Sequence, residues 1–289
     1  MTGSMLMELL SKISTVAILS FVISSMLGVG ASLTVSQIIN PLRNVRLIVL
    51  SLLANFVVMP VVAIGLEKVF ALDQSFGIGL LILGCAAGAP FLPRLVQNAK
   101  GDVACAVGVM IMLMVLTVVF LPTVLPRLLP GVTVDSWTIA RSLILTMLLP
   151  LAAGLTLNAF YEGLAARLRP ALALISNVSL GVQIVAIITL NIDKILRISG
   201  ERAVLAGIVF ITIGLAVGWL LGTLASDTRQ VMAFGTGQRN VAAAMVVASG
   251  SFADPKVVVM VVVVMVLSLI TLIPLSRAVG TRANANVSS

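Results

Sequence analysis

Long apolar stretches follow one another along the chain with only short polar gaps between them: 13–33, 45–66, 76–98, 103–126, 137–160, 171–192, 203–225, 229–250 and 256–278. A helix needs about 20 mainly apolar residues to cross a bilayer, at about 1.5 Å per residue. In hydrocarbon every backbone N–H and C=O must be bonded inside the protein, which only helices and closed barrels achieve. Stretches of this length and continuity predict helices. The gaps are too short to hold a soluble domain, so the expectation is one all-α polytopic membrane domain over 1–289 with about nine transmembrane helices. Composition excludes a soluble globular chain: 60% of the residues are apolar and 10% charged, against roughly 45–50% and 25% in soluble domains.

The net charge of +8 sits in the gaps, where Lys and Arg meet lipid headgroups. No basic cluster with interleaved aromatics is present, so nucleic acid is not an expected partner. Lys and Arg divide almost evenly between the two faces, leaving a slight preference for an outer N-terminus and an inner C-terminus in a plasma (inner) membrane. Lys12 followed by an apolar run has the layout of a cleaved secretory signal, but the run continues to Leu33 and reads as a retained first helix. The chain contains no His, the commonest metal ligand and general base. No Ser-His pair, metal-ligating cluster or paired carboxylates occur, so the sequence does not read as an enzyme. Cys85 and Cys105 lie in apolar helices and read as packing residues.

Two segments are interrupted. The third contains Ala89-Pro90-Phe91-Leu92-Pro93, and the eighth contains Gly235-Thr236-Gly237-Gln238-Arg239-Asn240. Arg239 stands in the apolar environment of residues 230–248, where a guanidinium costs about 2.5 kcal/mol or more unless it faces protein or a water-filled cavity. Each interrupted segment is followed by a tight polar turn and a smooth helix, with Asp102 capping the first such helix, and Asp254 with Pro255 starting the second. Paired interruptions at matching places are the mark of an inverted-repeat transporter with two broken, crossing helices. The repeat is then complete in segments five to nine and lacks its first helix in segments one to four.

The chemistry available at such a crossing is anion binding. Arg239 presents a planar fork suited to carboxylate, sulfate or phosphate. Thr236, Gln238 and Asn240 add hydrogen-bonding groups, Gly235 and Gly237 loosen the helix, and the helix starts at Pro93 and near Gly237 add partial positive charge. Arg94 reads as a residue that snorkels to the membrane face. Asn177, Gln183 and Asn191 either line a cavity or bond between helices. All ten acids fall in loops or at helix ends, which argues against a carboxylate proton relay. A sensor or assembly subunit is the competing non-transport class, but no gap holds an output domain.

Several stretches are familiar: Gly30–Leu33, Asn55-Phe56-Val57-Val58-Met59-Pro60, Gly79–Cys85, the turn Lys100-Gly101-Asp102, Pro150 with Gly154, and Gly237 with Asn240. With these the chain resembles the bile acid:sodium symporter superfamily over nearly its whole length. The resemblance implies organic-anion transport by alternating access. It also implies a panel of segments one, five and six against a core of segments two to four and seven to nine. The match fails where sodium binds in the family. Gly235 stands in place of a glutamate, Arg239 in place of a glutamine, and Phe91-Leu92-Pro93 in place of a Ser-Asn pair. Met110-Ile111-Met112-Leu113-Met114 replaces a hydroxyl-rich stretch. An added cation repels sodium in a poorly screened site. The expectation is therefore a carrier of small organic anions with no cofactor and without sodium. One alternative is a non-standard sodium site built from Asn55, Thr236, Gln238 and backbone carbonyls. Another is an arsenite-type efflux carrier using Cys85. The lipid bilayer and a small organic anion are the expected partners, and the sequence specifies no oligomeric state.

Overall fold

The computed structural model describes every residue except 1, 35, 38–43, 130–134, 196–197, 223–227 and 288–289. The described residues form helices and no strands: α1 (Thr2–Gly30), α2 (Val45–Val69), α3 (Gln74–Cys85), α4 (Leu92–Asn98), α5 (Val103–Leu128), α6 (Ser136–Phe160), α7 (Glu162–Ile195), α8 (Ile198–Gly222), α9 (Arg229–Gly237), α10 (Val241–Ser251) and α11 (Pro255–Val287). Seven of these are long and apolar enough to cross a membrane. The chain is a multi-pass membrane protein.

The remaining four are short and come in two pairs, α3 with α4 and α9 with α10. α3 ends at Cys85, where Ala86 turns extended and Gly88 takes φ +77°. A Cβ on Gly88 would lie 2.2 Å from the backbone N of Met114, so the segment lies against the α5 backbone as only glycine permits. Pro90 then blocks a helical continuation, because proline has no N–H to give and biases its predecessor away from the helix. α9 ends at Gly237, with Gln238 extended, and α10 restarts on Asn240, whose side chain accepts from the backbone N of Ala243.

α2 and α6 each contain one widened π turn, at Ala54–Val58 and Ile144–Leu148. Each runs directly into a Met59-Pro60 or Leu149-Pro150 step. The missing proline N–H and the clash of its ring with the preceding turn are what a widened turn absorbs.

Packing brings the short helices to the centre. Phe76 through Cys85 of α3 are all buried, and α3 packs chiefly on α2 and α11. α8 carries Gly214, Gly218 and Gly222 along one ridge against α9. A Cβ at Gly218 would lie 2.2 Å from the carbonyl of Met232, so the ridge lets two backbones touch. α1, α6 and α7 also pack against one another, with Gly30 so close to α6 that a Cβ would sit 2.2 Å from the carbonyl of Leu151. Arg169 of α7 finishes this corner. Its Nε donates to the Ala31 carbonyl at 2.8 Å and its Nη2 to Asn158 Oδ1 at 2.8 Å, while Asn158 Nδ2 donates to the Leu33 carbonyl at 2.9 Å. The carbonyls of Ala31 and Leu33, just past the end of α1, are thereby satisfied.

Several boundaries differ from the sequence expectation; the first helix, expected from 13, begins at Thr2, and the seventh, expected from 203, at Ile198. The sixth segment, expected from 171, begins at Glu162, because Arg169 has a bonding partner on α1 and its charge does not end the helix. The polar tail from 281 continues α11 to Val287. Gly280 docks it near Asn98, and no proline follows to end the helix. The N-linked glycosylation pattern at 286–288 runs outside the described residues.

Short polar caps fix the helix starts. Asp73 accepts from Ser75 N at 3.1 Å, Asp102 from Cys105 N at 2.9 Å, and Asp135 from Thr138 N at 3.0 Å. Asp254 accepts from Lys256 N at 2.9 Å and from Ser75 Oγ at 2.6 Å, and Lys256 pairs with Asp73 at 2.6 Å. The beginnings of α3 and α11 are thus tied together at one membrane face.

Candidate functional site

Arg239 lies in the break between α9 and α10 and is 1% exposed. Its Nε donates to the Leu83 carbonyl at 2.8 Å and its Nη2 to the Gly84 carbonyl at 2.7 Å, both at the end of α3. Nη1 donates to Asn55 Oδ1 at 2.6 Å. Two longer bonds of 3.4 Å run from Nη1 to the Thr236 carbonyl and from Nη2 to the Asn55 carbonyl. All five partners are neutral oxygens, and no carboxylate is among them. A guanidinium has five N–H groups in a rigid plane, so each has an acceptor here.

The π turn of α2 explains how Asn55 reaches this point. In the widened turn the Asn55 amide donates to the Ser51 carbonyl at 3.0 Å, a carbonyl that also accepts from Ala54 N. The same Nδ2 lies 3.5 Å from Thr236 Oγ1. Asn55 therefore touches both Arg239 and Thr236 of the second broken pair.

The extended link after α3 is bonded with equal completeness. Asn240 N donates to the Ala86 carbonyl at 2.9 Å, and Asn240 Nδ2 to the Gly88 carbonyl at 3.1 Å. Thr117 of α5, fully buried, accepts from Ala87 N at 2.9 Å and donates to the Ala87 carbonyl at 3.1 Å. Arg239, Asn240 and Thr117 together take the carbonyls of residues 83, 84, 86, 87 and 88. The two breaks are in direct hydrogen-bonded contact here.

The other expected site residues are placed around this crossing. Thr236 is fully buried, and Gly235 has room beside it, with the tip of Leu92 at 3.4 Å from an added Cβ. Gly237 presses against Leu215 of α8. Gln238 is 9% exposed, and its buried Oε1 has no hydrogen-bond partner. Pro93 is half-buried in the first turn of α4. Arg94 is exposed and stacks over Phe91 at 5.9 Å, outside the crossing. Cys85 is buried next to Gly84, and no group of three or more His, Cys, Asp or Glu that could hold a metal occurs among the described residues. Gln183 is bonded to Ser14 at 2.9 Å between α7 and α1, Asn177 is exposed, and the side chain of Asn191 lies outside the described residues.

Sequence reasoning missed Thr117, Asn158, Arg169 and the glycine ridge of α8. The ridge was readable as Gly214, Gly218 and Gly222 at four-residue spacing. Thr117 left a fainter sign, a hydroxyl in the otherwise apolar middle of α5. Two cavities flank α1, one of about 270 Å³ beside Leu33 and Asn158 and one of about 350 Å³ against α7; neither reaches the crossing.

Comparison with known proteins bears on the same region. The profile of the Sodium Bile acid symporter family matches residues 18–198, which contain α2 to α5 and stop short of Arg239. "Probable sodium/metabolite cotransporter BASS1, chloroplastic" of Arabidopsis thaliana is 27% identical over 236 residues, covering 80% of this chain and 58% of the relative. The "Uncharacterized sodium-dependent transporter YocS" of Bacillus subtilis (strain 168) is 24% identical over 204 residues, covering 69% and 61%. "Probable sodium/metabolite cotransporter BASS3, chloroplastic" of Arabidopsis thaliana is 24% identical over 196 residues, covering 67% and 45%. The chain thus spans about half the length of the curated relatives it matches.

Proposed function

Because this chain belongs to the Sodium Bile acid symporter family, we propose that it is a plasma-membrane transporter carrying small organic anions by alternating access without sodium. Counting each broken pair as one crossing makes nine spans of α1 to α11, and α3/α4 and α9/α10 take equivalent places in an inverted repeat. The unit of α1, α6 and α7 then moves as a panel against the rest.

One observation carries the sodium-independent reading. Neutral oxygens of α2, α3 and α9 converge on the guanidinium of Arg239, as oxygen ligands converge on a bound cation. Sodium needs several oxygen ligands, and those of the crossing already serve a charge attached to the chain. A second cation beside it would meet repulsion with no carboxylate to offset it.

Substrate binding follows from the unequal bonds of the fork. Each Nη makes one short bond and one of 3.4 Å. When the crossing opens, the long bonds release first and leave one N–H on each Nη. Two parallel N–H groups are what a carboxylate or sulfonate accepts in bidentate fashion. Thr236 and the Gln238 amide stand beside that edge as orienting groups, while the short bonds keep Arg239 in place.

The unpartnered Oε1 of Gln238 favours a second reading, a sodium-coupled carrier with a site made of Asn55, Thr236 and Gln238. Uptake of radiolabelled carboxylates and sulfonates into proteoliposomes separates the two. Equal uptake in sodium and in N-methyl-D-glucamine, lost in Arg239→Ala, supports the uncoupled carrier. Uptake that collapses without sodium overturns it.

A further inference from the structure

Among the described residues, three buried side-chain atoms have no hydrogen-bond partner: Gln183 Nε2, Arg229 Nε and Gln238 Oε1. The first two are donors, on α7 and at the start of α9. Gln238 Oε1 is the one acceptor, and it belongs to the link between α9 and α10. The residue that carries it is 9% exposed.

The acceptors around it are taken. The carbonyls of residues 83, 84, 86, 87 and 88 serve Arg239, Asn240 and Thr117. Both oxygens of Asn55 and the Thr236 carbonyl serve Arg239 as well, and Asn240 Oδ1 accepts from Ala243 N. A site that leaves one buried acceptor open beside so many closed ones is short of one donor.

The chemistry of that donor is constrained from three sides. A carboxylate brings oxygens only, so the Gln238 oxygen repels the group that Arg239 attracts. Sodium takes several oxygens at once, and the others here already serve Arg239. An ammonium group is repelled by the guanidinium, because Gln238 and Arg239 are consecutive residues. An uncharged O–H meets none of these objections and supplies the single bond that is missing.

We infer that Gln238 selects the substrate, an organic acid with a hydroxyl on the carbon beside its carboxylate. Arg239 takes the carboxylate, and Gln238 Oε1 accepts from the hydroxyl. The consecutive placement of the two side chains requires the two substrate groups to be close together. The inference rests on the anion-carrier reading and names the class of acid that it carries. An acid without the hydroxyl leaves Oε1 buried and unpaired, and is discriminated against by about tenfold or more.

Uptake by the full chain in sodium-free proteoliposomes, above protein-free vesicles, tests it with two matched trios. One is mandelate, phenylacetate and phenylglyoxylate; the other is lactate, propionate and pyruvate. In at least one trio the hydroxy acid should exceed both the parent acid and the oxo acid about tenfold in kcat/KM, and the ratio should fall towards one in Gln238→Leu. Equal uptake of hydroxy and parent acids, as a water on Oε1 gives, overturns the inference and leaves the anion carrier standing. Preference for the oxo acid, which accepts and cannot donate, also overturns it, as does a ratio unchanged in Gln238→Leu. Uptake that appears only when sodium is added assigns Oε1 to the ion and overturns both readings, and so does uptake of none of the acids. If Gln238→Leu does not fold, the trios on the unsubstituted chain decide.

Discussion

Arg239 donates from Nη1 to Oδ1 of Asn55 at 2.6 Å, so the cation of one broken helix is held by an amide standing in the π turn of another. The bond joins three features that the sequence presents separately: a costly charge, a proline-associated widening and a pair of helix breaks. A charge at that depth is tolerable because the carbonyls freed by unwinding are there to receive it. Those carbonyls are tolerable because the charge is there.

Removing the guanidinium tests this mutual dependence. Arg239→Ala leaves the Leu83 and Gly84 carbonyls and Asn55 Oδ1 without their donor, at about 1–3 kcal/mol for each buried group left unpaired. The variant should insert in the membrane, melt well below the unsubstituted protein in detergent and carry no organic anion. Arg239→Lys keeps the charge but not the planar fork, so it should recover part of the stability and little of the transport. Wild-type melting and uptake in Arg239→Ala would remove Arg239 from both roles.

Sodium dependence should be installable. Gly235 has only the flexible tip of Leu92 near an added Cβ, so a longer side chain can be accommodated. Gly235→Glu combined with Arg239→Gln exchanges the built-in cation for a carboxylate and neutral ligands. The pair should show stabilisation by sodium in a thermal-shift assay, with potassium as control, where the unsubstituted protein shows none. An equal response to sodium in the unsubstituted protein would mean that its oxygens already bind the ion.

Thr117 should behave as a clamp on the crossing. Thr117→Val removes the group that both donates to and accepts from Ala87 while keeping the shape. Two buried backbone groups lose their partner, and stability should fall by about 2 kcal/mol or more. Thr117→Ser restores the hydroxyl and should restore melting temperature and uptake together. If serine and valine behave alike, the hydrogen bonds are not what holds Ala87.

Acidification should loosen one membrane face. The hydrogen bond from Lys256 is the largest influence on Asp73 and lowers its pKa from 3.8, against a smaller upward effect of partial burial. A carboxylate with a depressed folded pKa stabilises the fold above its unfolded value and loses that contribution as pH falls through the depressed one. The contribution is therefore complete at neutral pH and disappears below about pH 4. Solvent screening keeps it small, since the pair is exposed at the surface. Melting temperature followed from pH 7 to pH 3 should fall less steeply for Asp73→Asn than for the unsubstituted protein. Identical slopes would show that the pair contributes nothing.

Hydropathy made the long helices legible, because a membrane span has to be apolar along its length and cannot hide. The interruptions at 89–93 and 235–240 were also legible, since Pro and adjacent Gly disrupt helices for local reasons. Less was visible at their edges. Nothing local ends α3 at Cys85, five residues ahead of Pro90; the helix stops there because Arg239, Asn240 and Thr117 supply partners for the unwound backbone. Similarly, the apolar run of segment six begins only at 171, after Arg169 and Pro170. Arg169 instead bonds the end of α1, and α7 runs straight through.

By itself, then, the sequence determined that this is an all-helical membrane protein, where its long spans lie and that a lone guanidinium sits among them. Those properties follow from transfer free energies and backbone preferences, which act residue by residue. Only the tertiary structure decided what that guanidinium does. Its five acceptors come from residues 55, 83, 84 and 236, most of them remote in sequence and mostly backbone carbonyls, which every residue type carries alike. A ring of such oxygens leaves no compositional trace, because it exists only where separate helices bring their unpaired ends to one point.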